Sequence, residues 1–174
     1  MQFDLTQLEG DALRVQETLE GPDFADLEPD ARFQPVEVRL NLALGRECGG
    51  ARVAGTFEAR VRAECDRCLK PLEIPVSGEF DQRYTWGETA PVTIEDAEVA
   101  ANELDIERLE EPTLDTRHVA VEQIELNAPV RVVCSELCAG LCPECGADRN
   151  LGDCSCAESQ FDPRWEALRK LKKS

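Results

Sequence analysis

Eight of the nine cysteines in this 174-residue chain come in close pairs. Cys142 and Cys145 form a C-x-x-C within CPECG, and Cys154 and Cys156 follow as C-x-C. Cys65 and Cys68 form a second C-x-x-C within CDRCLKP, and Cys134 and Cys138 are spaced i, i+4. Thiols so spaced can close disulfides, cycle as redox pairs or hold a metal ion. Zinc takes four soft or borderline ligands at tetrahedral corners, about 2.3 Å away when they are sulfur. A C-x-x-C turn offers two thiolates to one ion while its backbone N–H groups point at the sulfurs. Gly146, after the second cysteine of CPECG, supplies the positive φ that such a turn often uses.

The residues around the later pairs are Glu144, Asp148, Arg149, Asn150 and Asp153, so nothing apolar is there to bury the thiols as core filler. Cys142, Cys145, Cys154 and Cys156 are therefore expected to share one zinc. Cys65 with Cys68, and Cys134 with Cys138, each lack two ligands, and each pair supplies what the other lacks. The i, i+4 spacing predicts that Cys134 and Cys138 meet on one turn of helix. Cys134, Cys138 and Cys142 are close enough in sequence for other partitions, but grouping the tightest cluster by itself costs the least loop closure. The expectation is about two zinc ions per chain. Cys48, in a glycine-rich loop without a paired cysteine, reads as a free thiol.

A thioredoxin-type pair sits where a strand feeds a helix N-terminus, whose dipole lowers the thiol pKa. Cys65 and Cys68 instead precede Pro71 and another strand pattern. A zinc-centred, redox-switched chaperone is the rival from another class, because it would hold its zinc with the same pairs. A shell of four thiolates leaves no open position for water, so neither catalysis nor a small-molecule substrate is expected. His118, the only histidine, has no acid or nucleophile in evident register.

The elements that position these cysteines show in the apolar pattern. Val36, Val38, Leu40, Leu42 and Leu44 alternate with polar residues, the period of a half-buried strand. Alternation resumes with Val53, Phe57, Ala59, Val61 and Ala63, and again with Leu72, Ile74, Val76, Phe80 and Tyr84. Short links between three such runs predict an antiparallel meander. A helix is expected from Asp115 or Thr116 to Asn127, with Val121, Ile124 and Ala128 on one side and Pro129 ending it. Val130, Val132 and Val133 read as a short strand. Asp162 and Pro163 open a final helix with Trp165, Leu168 and Leu171 as its stripe. The fold class is α+β: a partly closed antiparallel β-meander with one packed helix, a C-terminal zinc knuckle and a short terminal helix. Residues 1–133 form a β-rich core with acidic excursions at 1–31 and 93–115, and residues 134–174 form the cysteine-rich tail.

Thirty-six acidic residues against nineteen basic ones give a net charge of −17. Eight thiolates holding two divalent ions make it more negative still. Most of the surface repels phosphate and forfeits the counterion release that drives nucleic-acid binding. A basic protein partner is the easier inference. Contact with RNA needs a local basic patch, and two places offer one: Arg60, Arg62, Arg67 and Lys70 on the meander, and Arg169 and Lys170 on the final helix. The N-terminus has neither a basic n-region nor an apolar h-region, and no apolar run is long enough for a membrane span. The reading is cytoplasmic, in a reducing compartment where close cysteines hold metal.

CDRCL on a strand turn, CSELCAGLCPECGADRN, the closing CSC and DPRWEALRKL occur in an order that resembles one family. It is the large ribosomal RNA subunit accumulation protein family (YceD-like), and the resemblance spans essentially the whole chain. It implies a role in accumulation of 23S ribosomal RNA and in assembly of the large subunit, with the ribosomal precursor particle as partner. It implies no catalytic residues, and it implies two separable metal sites, since some members lack the later cluster. Forms of the family carry a lysine where this chain has Ala139.

Overall fold

The computed structural model describes residues 1–27, 31–47, 49–87, 106–152 and 154–156. Three long strands dominate: β3 (Gln34–Glu47), β4 (Gly50–Glu64) and β5 (Pro71–Trp86). They carry the three alternating runs, and their inward residues are the core: Val38, Leu40, Leu42 and Leu44, then Val53, Phe57, Ala59 and Val61, then Val76 and Tyr84. Leu72, Ile74 and Phe80 are only half-buried. β3 and β4 run antiparallel from Glu47 opposite Gly50 to Gln34 opposite Arg62, with an irregularity between Pro35 and Glu37. Gly55 sits where a Cβ would come within 2.2 Å of the Asn41 carbonyl oxygen, so only glycine lets β3 and β4 close at that pair.

The N-terminal acidic stretch supplies strands of its own. After β1 (Gln2–Asp4), strand β2 (Leu13–Glu20) pairs antiparallel with β3 along its whole length, Leu13 opposite Leu44 and Glu20 opposite Glu37. Among the apolar residues of this stretch, Leu5 and Leu19 are buried, whereas Leu13 is exposed. Past the meander, β6 (Ile106–Leu109) joins β5 in parallel, completing the order β2-β3-β4-β5-β6. Among the described residues no ladder joins β6 back to β2. β7 (Thr113–Asp115) pairs with β1 in a separate two-stranded ribbon.

One helix, α1 (Thr116–Asn127), completes this unit. Its N-cap is Asp115, whose carboxylate accepts from the Arg117 backbone N–H at 2.9 Å. The buried face is Thr116, Val119, Ala120, Gln123 and Ile124. Of the expected Val121, Ile124 and Ala128, Ile124 is fully buried, and Val121 and Ala128 are half-buried. The expected final helix, with Arg169 and Lys170, falls outside the described residues, as do Cys48 and most of the second acidic excursion.

The chain divides into two compact units. The first comprises Met1–Ala63 and Glu73–Val130, the sheet, ribbon and helix. The second joins Glu64–Leu72, the turn between β4 and β5, to the segment that begins at Arg131. All eight described cysteines belong to this second unit, and all are free thiols.

Candidate metal centres

Each C-x-x-C forms the same turn. The Leu69 N–H donates to the Cys65 carbonyl at 2.9 Å, and the Cys65 N–H donates to the Lys70 carbonyl at 2.9 Å. In the later knuckle the Gly146 N–H donates to the Cys142 carbonyl at 2.9 Å, and the Cys142 N–H to the Ala147 carbonyl at 2.8 Å. Such a turn folds two thiols to one side and leaves amide N–H groups facing them.

The first turn then captures the tail. Asp66 donates its N–H to the Val132 carbonyl at 2.8 Å and accepts the Val132 N–H on Oδ2 at 2.7 Å. Residues 130–133 therefore form no strand, because Asp66 satisfies the backbone that a neighbouring strand would have satisfied. Val132 is buried, whereas Val130 is fully exposed. Cys134 and Cys138 meet through a turn rather than a helix, closed by the Cys138 N–H donating to the Ser135 carbonyl at 3.1 Å.

Cys65, Cys68, Cys134 and Cys138 come together, and so do Cys142, Cys145, Cys154 and Cys156. Within each group the sulfurs lie within 4.8 Å of one another. In the first cluster Cys65 Sγ lies 3.9 Å from Cys138 Sγ, and Cys68 Sγ lies 3.7 Å from Cys134 Sγ. A tetrahedron with zinc–sulfur bonds of about 2.3 Å has an edge of roughly 3.8 Å, so the spacing fits a four-thiolate ion. Cys65, Cys68 and Cys138 are buried among Leu72, Val133 and Leu141. The second cluster is more open, with Cys142 buried and Cys145 exposed.

The electrostatics of both groups suit a cation. Burial raises the Cys65 thiol, but the N–H groups of Cys134, Arg67 and Cys68 outweigh it and bring the pKa down to about 6. Hydrogen bonding to Cys138, with burial, pushes Cys134 up to about 12. In the second cluster the backbone N–H groups of Cys145 and Glu144 lower Cys142 to about 6. Hydrogen bonding to Cys145, with burial, raises Cys156 to about 12. Without a cation four crowded thiols cannot all ionise, so some keep their protons; a bound divalent ion would take the place of those protons.

Two of the four meander residues read as an RNA or partner patch, Arg60 and Arg67, have other occupations. Arg60 donates to Glu37 at 2.8 Å, and Arg39 lies 2.7 Å from the same carboxylate. The Arg67 guanidinium donates to the Cys138 carbonyl at 2.7 Å and to the Glu136 carbonyl at 3.3 Å. Its own carbonyl accepts the Leu141 N–H at 3.2 Å, so Arg67 holds the Cys65 cluster from two sides. Arg62 and Lys70 are exposed, with no side-chain ion pair or hydrogen bond among the described residues. His118 is exposed on α1. Sequence reasoning passed over Asn150, whose side chain reaches Cys138 Sγ at 3.5 Å. Its signal was the pattern Asp-x-Asn between the knuckle and C-x-C, which builds a side-chain-closed turn.

No described helix is long and apolar enough to cross a membrane. The chain is 29% identical over 159 residues to an uncharacterized protein of Mycobacterium tuberculosis, covering 91% of this chain and 73% of that one. It is 26% identical over 171 residues to a Mycobacterium leprae protein, covering 95% and 75%. It is 24% identical over 176 residues to YlbN of Bacillus subtilis, covering 98% and 94%. No solved structure matches. The family model described as large ribosomal RNA subunit accumulation protein YceD matches residues 53–172, a span that holds all eight clustered cysteines, and the chain belongs to that family.

Proposed function

We propose that this chain is a non-catalytic binding factor supporting 23S ribosomal RNA accumulation and large-subunit biogenesis, with one structural zinc in each four-cysteine cluster. Family membership implies the role in large-subunit ribosomal RNA accumulation. The observation that carries the zinc reading is the pair of closed four-thiol groups, each within 4.8 Å. Cys65, Cys68, Cys134 and Cys138 would hold one ion, and Cys142, Cys145, Cys154 and Cys156 the other. Zinc bound by four thiolates supplies folding free energy and has no position left for a reacting water. The first ion would tie the β4–β5 turn to the segment from Arg131, and the second would close the loop from Cys142 to Cys156.

The partner is the ribosomal precursor particle. A chain with a net charge of −17 is drawn to a basic ribosomal protein, while Arg62 or Lys70 can reach ribosomal RNA. Co-sedimentation of the purified chain with large-subunit precursors at rising salt tests this. The expected result is binding that weakens with salt, and binding to neither precursor nor ribosomal protein would remove the proposal.

A further inference from the structure

The two clusters are not independent neighbours, because one residue of the second cluster's loop reaches a sulfur of the first. Asn150 lies between Cys145 and Cys154. Its Oδ1 accepts the Ala139 N–H at 2.7 Å, and that donor fixes which way the amide faces. The Nδ2 group therefore donates, to Cys138 Sγ at 3.5 Å and to Asp148 Oδ1 at 2.6 Å. Asp148 Oδ1 also accepts the Asn150 backbone N–H at 2.9 Å, so the side chain is held at both ends.

The loop that carries Asn150 is clamped onto the segment between the clusters. Leu141 and Asp148 form an isolated antiparallel bridge. The Arg149 N–H donates to the Gly140 carbonyl at 2.9 Å, beside the knuckle bond from Cys142 to Ala147 at 2.8 Å. Every link in this chain of contacts lies within the second compact unit.

We propose that Asn150 couples the two clusters, so that metal held by Cys142, Cys145, Cys154 and Cys156 tightens the grip of Cys65, Cys68, Cys134 and Cys138 on their own metal. This rests on the reading that both clusters hold metal. An ion on Cys145 and Cys154 fixes both ends of the loop between them, which cuts the entropy lost in holding Asn150 against Cys138. The N–H so placed stabilises the negative sulfur of Cys138, and outer-shell donors of this kind are worth about 10- to 100-fold in metal affinity. The coupling is reciprocal: filling the Cys65 cluster tightens the Cys142 cluster by the same factor. Asn150 is thus a positioning residue that acts through a ligand.

The test uses the full chain, Zn²⁺ and a competing chelator, with Co²⁺ as the spectroscopic probe of thiolate ligation. Asn150→Asp keeps the acceptor for Ala139 but puts a carboxylate oxygen where the donor to Cys138 stood. It should weaken the Cys65 cluster by about 10- to 100-fold and shift its cobalt–thiolate band, while the band of the Cys142 cluster stays put. Cys145→Ser leaves Asn150 untouched and should weaken the Cys65 cluster in the same direction by freeing the loop. A wild-type chain that takes up two metals, together with unchanged Cys65-cluster affinity in both variants, would overturn the coupling alone. A wild-type chain that takes up fewer than two would overturn the metal reading and the coupling with it.

Discussion

Leu69 and Gly146 stand at the same place in two copies of one turn. Each follows the second cysteine of a C-x-x-C, and each donates its N–H to the carbonyl of the first cysteine at 2.9 Å. Both have positive φ, +59° for Leu69 and +72° for Gly146. Glycine adopts that conformation freely, whereas a residue with a Cβ is strained there by roughly 1–2 kcal/mol. Leu69 is the only non-glycine residue with positive φ among the described residues, and its side chain is exposed.

The two knuckles should therefore respond oppositely to exchange. Gly146→Leu should cost about 1–2 kcal/mol and hasten metal loss from the Cys142 cluster, because no atom within 4 Å of the new Cβ would compensate. Leu69→Gly should be neutral or stabilising, the relieved strain offsetting the added freedom of the unfolded chain. Chelator-challenge rates for the two variants check both. A Leu69→Gly variant that loses metal faster than wild type would show that the side chain is needed for packing.

Metal content follows from the two clusters. The chain purified without added metal should carry about two zinc ions by elemental analysis. Cys145→Ser should lower this toward one, and the sheet should keep its thermal transition, since its strands bury their own apolar faces. Iron with visible charge-transfer bands would replace the zinc assignment. Cooperative unfolding of the whole chain on Cys145→Ser would show that the two units are not separately stable.

Acid should weaken the cap of α1. The Arg117 guanidinium bonded to Asp115, together with its backbone N–H, holds that carboxyl down at about 2, against an ordinary value of 3.8. A carboxyl lowered on folding contributes stability above its unfolded pKa and loses it as pH falls through the folded one. The contribution should be complete above about pH 4 and fade between there and about pH 2. Asp115→Asn should flatten that part of the stability–pH profile. Asp115→Ala should add the loss of the cap, about 1 kcal/mol in all once solvent screening is allowed for. Denaturant melts between pH 2 and 6 would show an unchanged slope if Asp115 is unlinked.

The meander was legible because Val38 to Leu44 and Val53 to Val61 alternate with polar residues and face one core. β2 was harder, since only Leu19 of its apolar residues is buried and no alternation stands out. β6 and the ribbon of β1 with β7 are three or four residues long, too short for a period to show. The grouping of cysteines rested on loop closure, and the structure brings the same two groups together. The segment 130–133 misled because three valines suggest a strand, while the partner for its backbone is Asp66, one residue past a cysteine. The bonds from Arg67 to the Cys138 and Glu136 carbonyls, and those of Asn150 with Ala139 and Cys138, join residues 11 or more apart in sequence, so no hydrophobic period shows them.

The charge reversals separate RNA contact from structural use of arginine. Arg62→Glu and Lys70→Glu should each reduce the salt slope of precursor association by about one if the residue meets a phosphate, and leave metal content intact. Arg67→Glu should also release metal, because Arg67 holds the Cys138 and Glu136 carbonyls. Intact association in both single variants at every salt concentration would leave the basic protein partner as the sole route.

The most direct test of the central claim is the ratio of large- to small-subunit ribosomal RNA in cells of the native host lacking this protein. The account predicts a lowered ratio with small-subunit RNA unchanged. The wild-type gene should restore it, and a gene carrying Cys65→Ser with Cys142→Ser should not. An unchanged ratio on loss of the protein, or full rescue by the double cysteine variant, would contradict it.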